Sequence, residues 1–336
     1  MRKIYFLSIA LCLLFVESEA QKNSSKKICV AFYNCENFFD TINDPKVNDE
    51  EFLPDAKTQW NTAKYNTKKN HLAQVISSMN DGKGADLIGL SEIENKKVLE
   101  DLISEPALKK SDYGIVHYNS ADERGIDVAL LYKKSVLKVI GSSSHRIHFP
   151  FDSTLKTRDF LVVKGELKNG KQIYFLVNHF PSRRNGSAES EPKRVYVAET
   201  EKHVIDSIVK ADANSSFIAM GDLNDEPMDK SVQTLKSANA NFTNPYEDLK
   251  KKNEGSIYYK GEWSMFDQIL ISNNLMDCKT SKVCYENNSC TIYKPDFVLE
   301  QTPGKYFGAP FKTFAGTRYF GGYSDHMSVY ILLDLK

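Results

Sequence analysis

Beyond its first twenty residues this sequence has no apolar run near the roughly 18 residues that carry a helix across a bilayer, so the rest of the chain offers no membrane-spanning helix. It has no excess of charge either: 44 Lys and Arg stand against 44 Asp and Glu. That balance lacks the basic footprint of a dedicated nucleic-acid-binding protein. An enzyme that brings its own cation needs less basic surface, so nucleic acid stays open as a substrate. Cysteine is scarce and spaced wrongly for zinc. Cys29 and Cys35, and then Cys278, Cys284 and Cys290, are six apart, whereas paired zinc ligands sit about two to four apart. Cys29 and Cys35 read as small buried hydrophobes. In an oxidising compartment two of the last three are expected to pair, and the spacing leaves open which two. There is no internal repeat and no low-complexity linker, which favours one domain over residues 26–336.

What is present begins with an export signal. Arg2 and Lys3 precede an apolar run over residues 4–16, and Ser18 and Ala20 supply the small residues that a signal peptidase reads. Residues 1–20 are therefore expected to be removed, leaving an exported chain, periplasmic or extracellular, that starts near Gln21. Apolar runs typical of buried strands follow at 28–33 (ICVAFY), 86–91 (DLIGLS), 126–132 (IDVALLY), 160–167, 173–178 (IYFLVN), 217–220, 266–271 and 327–333. Leu72, Val75, Ile76 and Met79 fall at helical spacing, predicting an amphipathic helix over about 65–80. Further helices are expected at 192–210 and 228–238. Strands and helices interleave throughout, so the class is α/β.

The polar residues sit at informative places. Asn34, Glu92, His179, Asp222 and Asn224 each follow an apolar strand within a residue or two, and strand ends are where α/β folds build sites on rigid supports. In Gly221-Asp222-Leu223-Asn224, a carboxylate and an amide two apart share a side of an extended chain and can hold a hard cation and a phosphate oxygen. Asp325-His326 opens the last strand with a metal-binding carboxylate beside a proton acceptor. Asp127 and Asp267 place acids in strands that are otherwise apolar, which is costly unless they are paired. Two acids and two strand-end histidines thus suggest two His–carboxylate pairs. Glu92 is the natural further metal ligand, with Glu94 its rival.

That order of motifs (Asn, strand-end Glu, strand-end His, G-D-x-N, strand Asp, S-D-H) resembles the endonuclease/exonuclease/phosphatase superfamily. The segments around residues 124–132, 178–184 and 191–194 further resemble an exported branch of it. The resemblance implies a four-layer sandwich, two mixed β-sheets face to face with helices outside, and Mg2+, or Mn2+ or Ca2+ in its place. It also implies roles. Asn34, Glu92 and Asp325 would bind the metal, and Asp222 and Asn224 would bind the nucleophilic water, the phosphate or a second cation. His326 oriented by Asp267 would be the base, and His179 with Asp127 would assist the leaving oxygen. Arg158 resembles a phosphate-contacting arginine, and Arg183 and Arg184 are further candidates to grip substrate. The expected partner is a phosphate ester, with nucleic acid foremost; no protein partner is implied. The expected activity is phosphodiester hydrolysis as an exported nuclease. A phosphatase or phosphodiesterase acting on a sugar, inositol or lipid-linked phosphate is the alternative. An inactive binding module of the same fold would need a broken ligand, and every matched position is intact.

Overall fold

The computed structural model describes residues 26–184 and 186–336, so the expected signal segment, 1–20, lies outside the described residues. In chain order the elements are β1 (Lys26–Phe38), α1 (Thr62–Gly82), β2 (Leu87–Ile93), α2 (Lys96–Ser104), β3 (Tyr113–His117), β4 (Asp127–Lys133) and β5 (Leu137–His145). They continue with β6 (Phe160–Leu167), β7 (Gln172–His179), α3 (Ser187–Ala211), β8 (Phe217–Asp222), α4 (Lys230–Lys236), β9 (Phe242–Thr243) and α5 (Tyr246–Lys251). The last third holds β10 (Ile257–Tyr259), β11 (Glu262–Ser264), β12 (Asp267–Ser272) and β13 (Val283–Tyr285). It closes with β14 (Thr291–Tyr293), β15 (Phe314–Ala315), β16 (Arg318–Tyr319) and β17 (Ser328–Leu335).

Two large mixed sheets result. One runs β13-β17-β1-β2-β4-β3, with β14 also on β17, and the other runs β5-β6-β7-β8-β12-β9. Within them β1–β2 and β7–β8 are parallel. Parallel neighbours need a long crossover, and the chain supplies α1 for the first pair and α3 for the second. The sheets face each other through β1, β2 and β4 on one side and β7, β8 and β12 on the other. Helices α1 and α2 cover the first sheet, while residues of α3 and α4 share a core with the outer face of the second. This is the four-layer sandwich.

Strand alternation divides the core. Phe175 and Val177 of β7 join the large cluster between the sheets, whereas Leu176 turns to the smaller one with Ala198 and Ile205 of α3. The sheets approach closely at Gly89, where a Cβ would lie 2.8 Å from Met220 Sδ and 3.0 Å from Val177 Cγ1. Helix α1 starts at Asn61, whose side chain accepts from the Ala63 and Lys64 amides. It ends where Asn80 and Asp81 turn left-handed, at φ 51° and 56°, close to the predicted end. The strands β3 and β5 were not among those predicted. Cys278 and Cys284 are bonded to each other, and Cys29 and Cys35 are buried.

Candidate active site

The register of the second sheet lines up three site residues. His179 lies opposite Asp222 across the parallel β7–β8 ladder, and Asp222 lies opposite Asp267 across the antiparallel β8–β12 ladder. His179 is two residues past Val177 and Asp222 two past Met220, so both face the gap between the sheets, as those residues do. Gly221 makes this possible, because a Cβ there would stand 2.5 Å from the carbonyl oxygen of Asn178.

The first sheet contributes Asn34, Glu92 and the Asp325-His326 turn. Asn34 Nδ2 donates to Asp222 Oδ2 at 3.0 Å, which ties the sheets together, and Asn34 Oδ1 accepts from the Glu36 amide at 2.9 Å. Glu92 sits at an irregularity in the β2 pairing with φ 58°. Such a bulge re-aims a side chain. Its Oε2 accepts from the Asn37 amide at 2.8 Å, and its Oε1 lies 3.9 Å from His179 Nε2. Glu94, the rival, instead receives the Asp40 amide at 2.6 Å, and burial pushes its carboxyl up to about 8. Asn224 is also left-handed, at φ 48°. Its Nδ2 donates to Phe180 O at 3.0 Å, and its amide donates to Asp222 Oδ1 at 3.0 Å. Non-glycine residues in this region cost about 1–3 kcal/mol each, a strain concentrated here at two residues of the site.

The two histidines differ sharply. His326 Nδ1 is 2.6 Å from Asp267 Oδ2, which also accepts from Ser256 Oγ at 2.5 Å. His326 Nε2 points toward Asp222 Oδ2 at 3.8 Å and Asp325 Oδ1 at 3.9 Å. Burial disfavours its charge, but Asp267 and Asp222 outweigh that and hold its pKa well above the ordinary value. His179 is the reverse. Burial, then Arg158 and Arg124, push its pKa well below the ordinary value, so the ring is neutral. Its Nδ1 has no partner among the described residues, and its Nε2 is 3.6 Å from Asp222 Oδ2.

The expected His179–Asp127 pair is not formed. Asp127 Oδ2 bonds His117 Nε2 at 3.0 Å, and its Oδ1 accepts from the Ser120 amide at 2.8 Å. The reason is alternation. Leu130 of β4 pairs with Gly89, which faces the second sheet. Asp127 is three residues away and so points to the opposite face, where His117, aligned with Ala129, lies diagonal to it. Arg183 also departs from expectation. Its Nε donates to Asn224 O at 2.7 Å and its Nη2 to Asp225 Oδ1 at 2.7 Å and Asp229, while the guanidinium lies over Phe266. Three of its five N–H donors thus meet acceptors on or beside the G-D-x-N loop, which it braces. Arg158 is buried, with Nη2 on Phe180 O at 2.7 Å and Nη1 on Asp122 Oδ2 at 3.3 Å. Arg184 is exposed.

Two residues of the site's support escaped sequence reasoning. Lys68 of α1, 1% exposed, donates to Thr313 Oγ1 and Tyr323 O, both at 2.7 Å, and lies 3.9 Å from Glu36 Oε2. Glu36 accepts from the Thr313 and Phe314 amides at 2.6 and 3.0 Å. Together they hold the segment leading into Asp325-His326. The signal was present: Lys68 falls on the same stripe as Tyr65, Leu72 and Val75.

The donor set suits a divalent cation. Asp222, Asp267 and His326 lie close enough that they could hold a metal ion, although Asp267 and His326 already bond each other. Glu92 Oε1 and Asp325 offer carboxylate oxygens with no hydrogen bond among the described residues. Clustered carboxylates with buried neighbours favour a hard cation with oxygen ligands.

The model of the Endonuclease/Exonuclease/phosphatase family matches residues 29–335. Among curated proteins none is matched by this sequence. Solved structures align over nearly the whole chain. An endonuclease/exonuclease/phosphatase family protein from Bacteroides thetaiotaomicron has 15% identity, covers 93% of this chain and 99% of its own, and gives a TM-score of 0.60. A mannosyl-6-phosphatase from the same species has 15% identity, coverages of 91% and 99%, and a TM-score of 0.59. The human Nocturnin catalytic domain with bound sulfate has 16% identity, coverages of 92% and 95%, and a TM-score of 0.56. At such identities these likenesses show the fold.

Proposed function

The chain belongs to the endonuclease/exonuclease/phosphatase family, and from that premise we propose that this phosphoesterase is an exported, Mg2+-dependent nuclease that hydrolyses phosphodiesters by in-line attack of water. The observation that carries the reading is the convergence across the gap between the sheets. His179, Asp222 and Asp267 stand in register on one side, facing Asn34, Glu92 and Asp325-His326 on the other. Export rests on the signal-like residues 1–20.

Asn34, Glu92 and Asp325 would hold Mg2+, or Mn2+ or Ca2+ in its place, because their donors are hard oxygens and no thiolate is at hand. When bound, the cation supplies charge neutralisation at the phosphate and a more acidic water. His326 then accepts the proton of the attacking water, steered by its bond from Nδ1 to Asp267. This role needs a neutral ring, whereas Asp267 and Asp222 favour the charged one; a cation held by Asn34, Glu92 and Asp325 would oppose that charge and favour the neutral form. Asp222 and Asn224 fix nucleophile and phosphate; Asn224 is held by its bonds to Phe180 O and to Asp222. His179, neutral and with Nε2 facing Asp222, donates to the leaving oxygen.

The test is a substrate panel on the mature protein: plasmid DNA, RNA, bis-p-nitrophenyl phosphate, p-nitrophenyl phosphate, a sugar phosphate and sphingomyelin. Cleavage of nucleic acid and of the diester is expected, lost in EDTA and restored by Mg2+ or Mn2+. Full activity in chelator after exhaustive dialysis would end the metal reading. A preference for monoesters or sphingomyelin over nucleic acid would end the nuclease reading and leave the phosphoesterase.

A further inference from the structure

A cavity of about 330 Å3 lies against Arg158, between residues 149–158 on one side and Pro181, Ser182, Arg184 and the first turns of α3 on the other. Its lining carries four cations, Lys156, Arg158, Arg184 and Lys193, and one acid, Glu189. Lys156, Arg184 and Lys193 make no hydrogen bond or ion pair among the described residues, in contrast to Arg183, whose Nε and Nη2 bond Asn224 O, Asp225 and Asp229. Arg158 is 7% exposed, and its Nε is buried without a partner among the described residues. Even with Asp122 counted against Arg158, positive charge is in excess. Unpaired cations around a concavity concentrate anions there, and a buried guanidinium nitrogen without an acceptor is a cost that a bound oxyanion removes.

The cavity adjoins the catalytic centre without being part of it. Arg158 forms the shared wall. Its Nη2 holds Phe180 O, directly after His179, while the same side chain lines the cavity. A phosphate seated beside His179 and an anion in the cavity would therefore both neighbour Arg158, an arrangement that two phosphates of one chain can fill together.

We propose that this cavity is a second anion subsite, taking the phosphate next to the scissile one in a single nucleic-acid strand. The proposal rests on the nuclease reading and sharpens it: the enzyme grips at least two consecutive phosphates, and a one-phosphate ester leaves the subsite unused.

The experiment compares the wild type with the double variant Lys156→Ala/Lys193→Ala. Binding of a 5′-fluorescein thymidine tetranucleotide is measured in EDTA across a salt series, and turnover of the same strand and of bis-p-nitrophenyl phosphate is measured in Mg2+. The variant should bind the strand at least about tenfold more weakly. Its slope of log affinity against log salt should be shallower by about 1.4, two contacts at about 0.7 each on a single strand. Its loss of kcat/KM should be at least about tenfold greater on the strand than on the one-phosphate diester. Equal binding by both proteins, or equal losses on both substrates, overturns the subsite. A wild type that binds the strand through these lysines yet does not cut it in Mg2+ keeps the subsite and fails the nuclease reading. A wild type that cuts the strand while the variant binds it equally well does the opposite.

Discussion

Lys68→Met tests how the site is held in place. The methionine keeps the length of the stem but removes a buried cation that bonds Thr313 Oγ1 and Tyr323 O and lies 3.9 Å from Glu36. Glu36 is left in the interior, still tied to the Thr313 and Phe314 amides, without its counter-charge. Breaking one partner of a buried ion pair costs about 3–5 kcal/mol. Glu36 can relieve part of that by taking up a proton, since burial and then Asp325 already lift its carboxyl to about 7. The lower end, about 3 kcal/mol, is therefore expected. At about 2 °C per kcal/mol for a domain of this size, Tm should fall by about 6 °C. Because the freed segment leads into Asp325-His326, kcat should fall about 10–100-fold, with KM less affected. Adding Glu36→Gln removes the orphaned charge, so the double variant should recover about 1–2 kcal/mol and break additivity. Calorimetry and initial rates on bis-p-nitrophenyl phosphate read both effects. A Tm within 2 °C of wild type (roughly 1 kcal/mol or less), or strictly additive losses, would refute the clamp.

Two further outcomes follow from the site and its surroundings. His179→Ala should lose about 10-fold more rate on an alkyl ester than on a nitrophenyl ester, since a nitrophenolate departs without a proton; Asp127→Asn, bonded instead to His117, should lose stability without changing that ratio. Equal ratios for His179→Ala and wild type in paired kinetics would remove His179 from the leaving-group role. Glu201 is fully buried, with Asn178 Nδ2 on Oε1 at 3.0 Å and no partner for Oε2 among the described residues, and burial lifts its pKa to about 8. The unfolded chain releases this proton near pH 4.5 and the folded chain only near 8, so the stability present below the lower value is lost as pH rises through that window, by a few kcal/mol in order of magnitude. Glu201→Gln should flatten the Tm profile between pH 5 and 8.5, and an unchanged slope would mean that Glu201 ionises freely in the folded protein.

Much of the site was legible because its chemistry sits at the ends of strands that announce themselves. Asn34, Glu92, His179, Asp222 and Asp267 each adjoin a run too apolar to be a loop, and a polar residue there stands out. What the sequence does not display is which face of a sheet a residue takes relative to strands distant in the chain. The Asp127–His117 pair depends on β3, five residues without a clear period, and on its register with β4. Arg183 looked like a free basic turn because its acceptors, Asp225 and Asp229, lie more than 40 positions away. Lys68 was passed over because a lysine on an apolar stripe reads as an interruption, and the partners that make it tolerable are more than 240 positions downstream. Strand β5 was missed because its serines and exposed positions hide an edge strand that is paired along only one side.

The close approach of the sheets at Gly89 bears on how this enzyme could drift. The site spans the gap, so its geometry is a property of the spacing between two slabs and belongs to neither alone. Gly89 and Met220 lie directly in that gap, one bond's width from collision, and Met220 is two residues from Asp222. A larger side chain at either position would act as a wedge, prising Asn34 away from Asp222 while leaving every catalytic group chemically intact. Such a protein could change rate or preference through its interior, with no trace at the residues that touch the substrate.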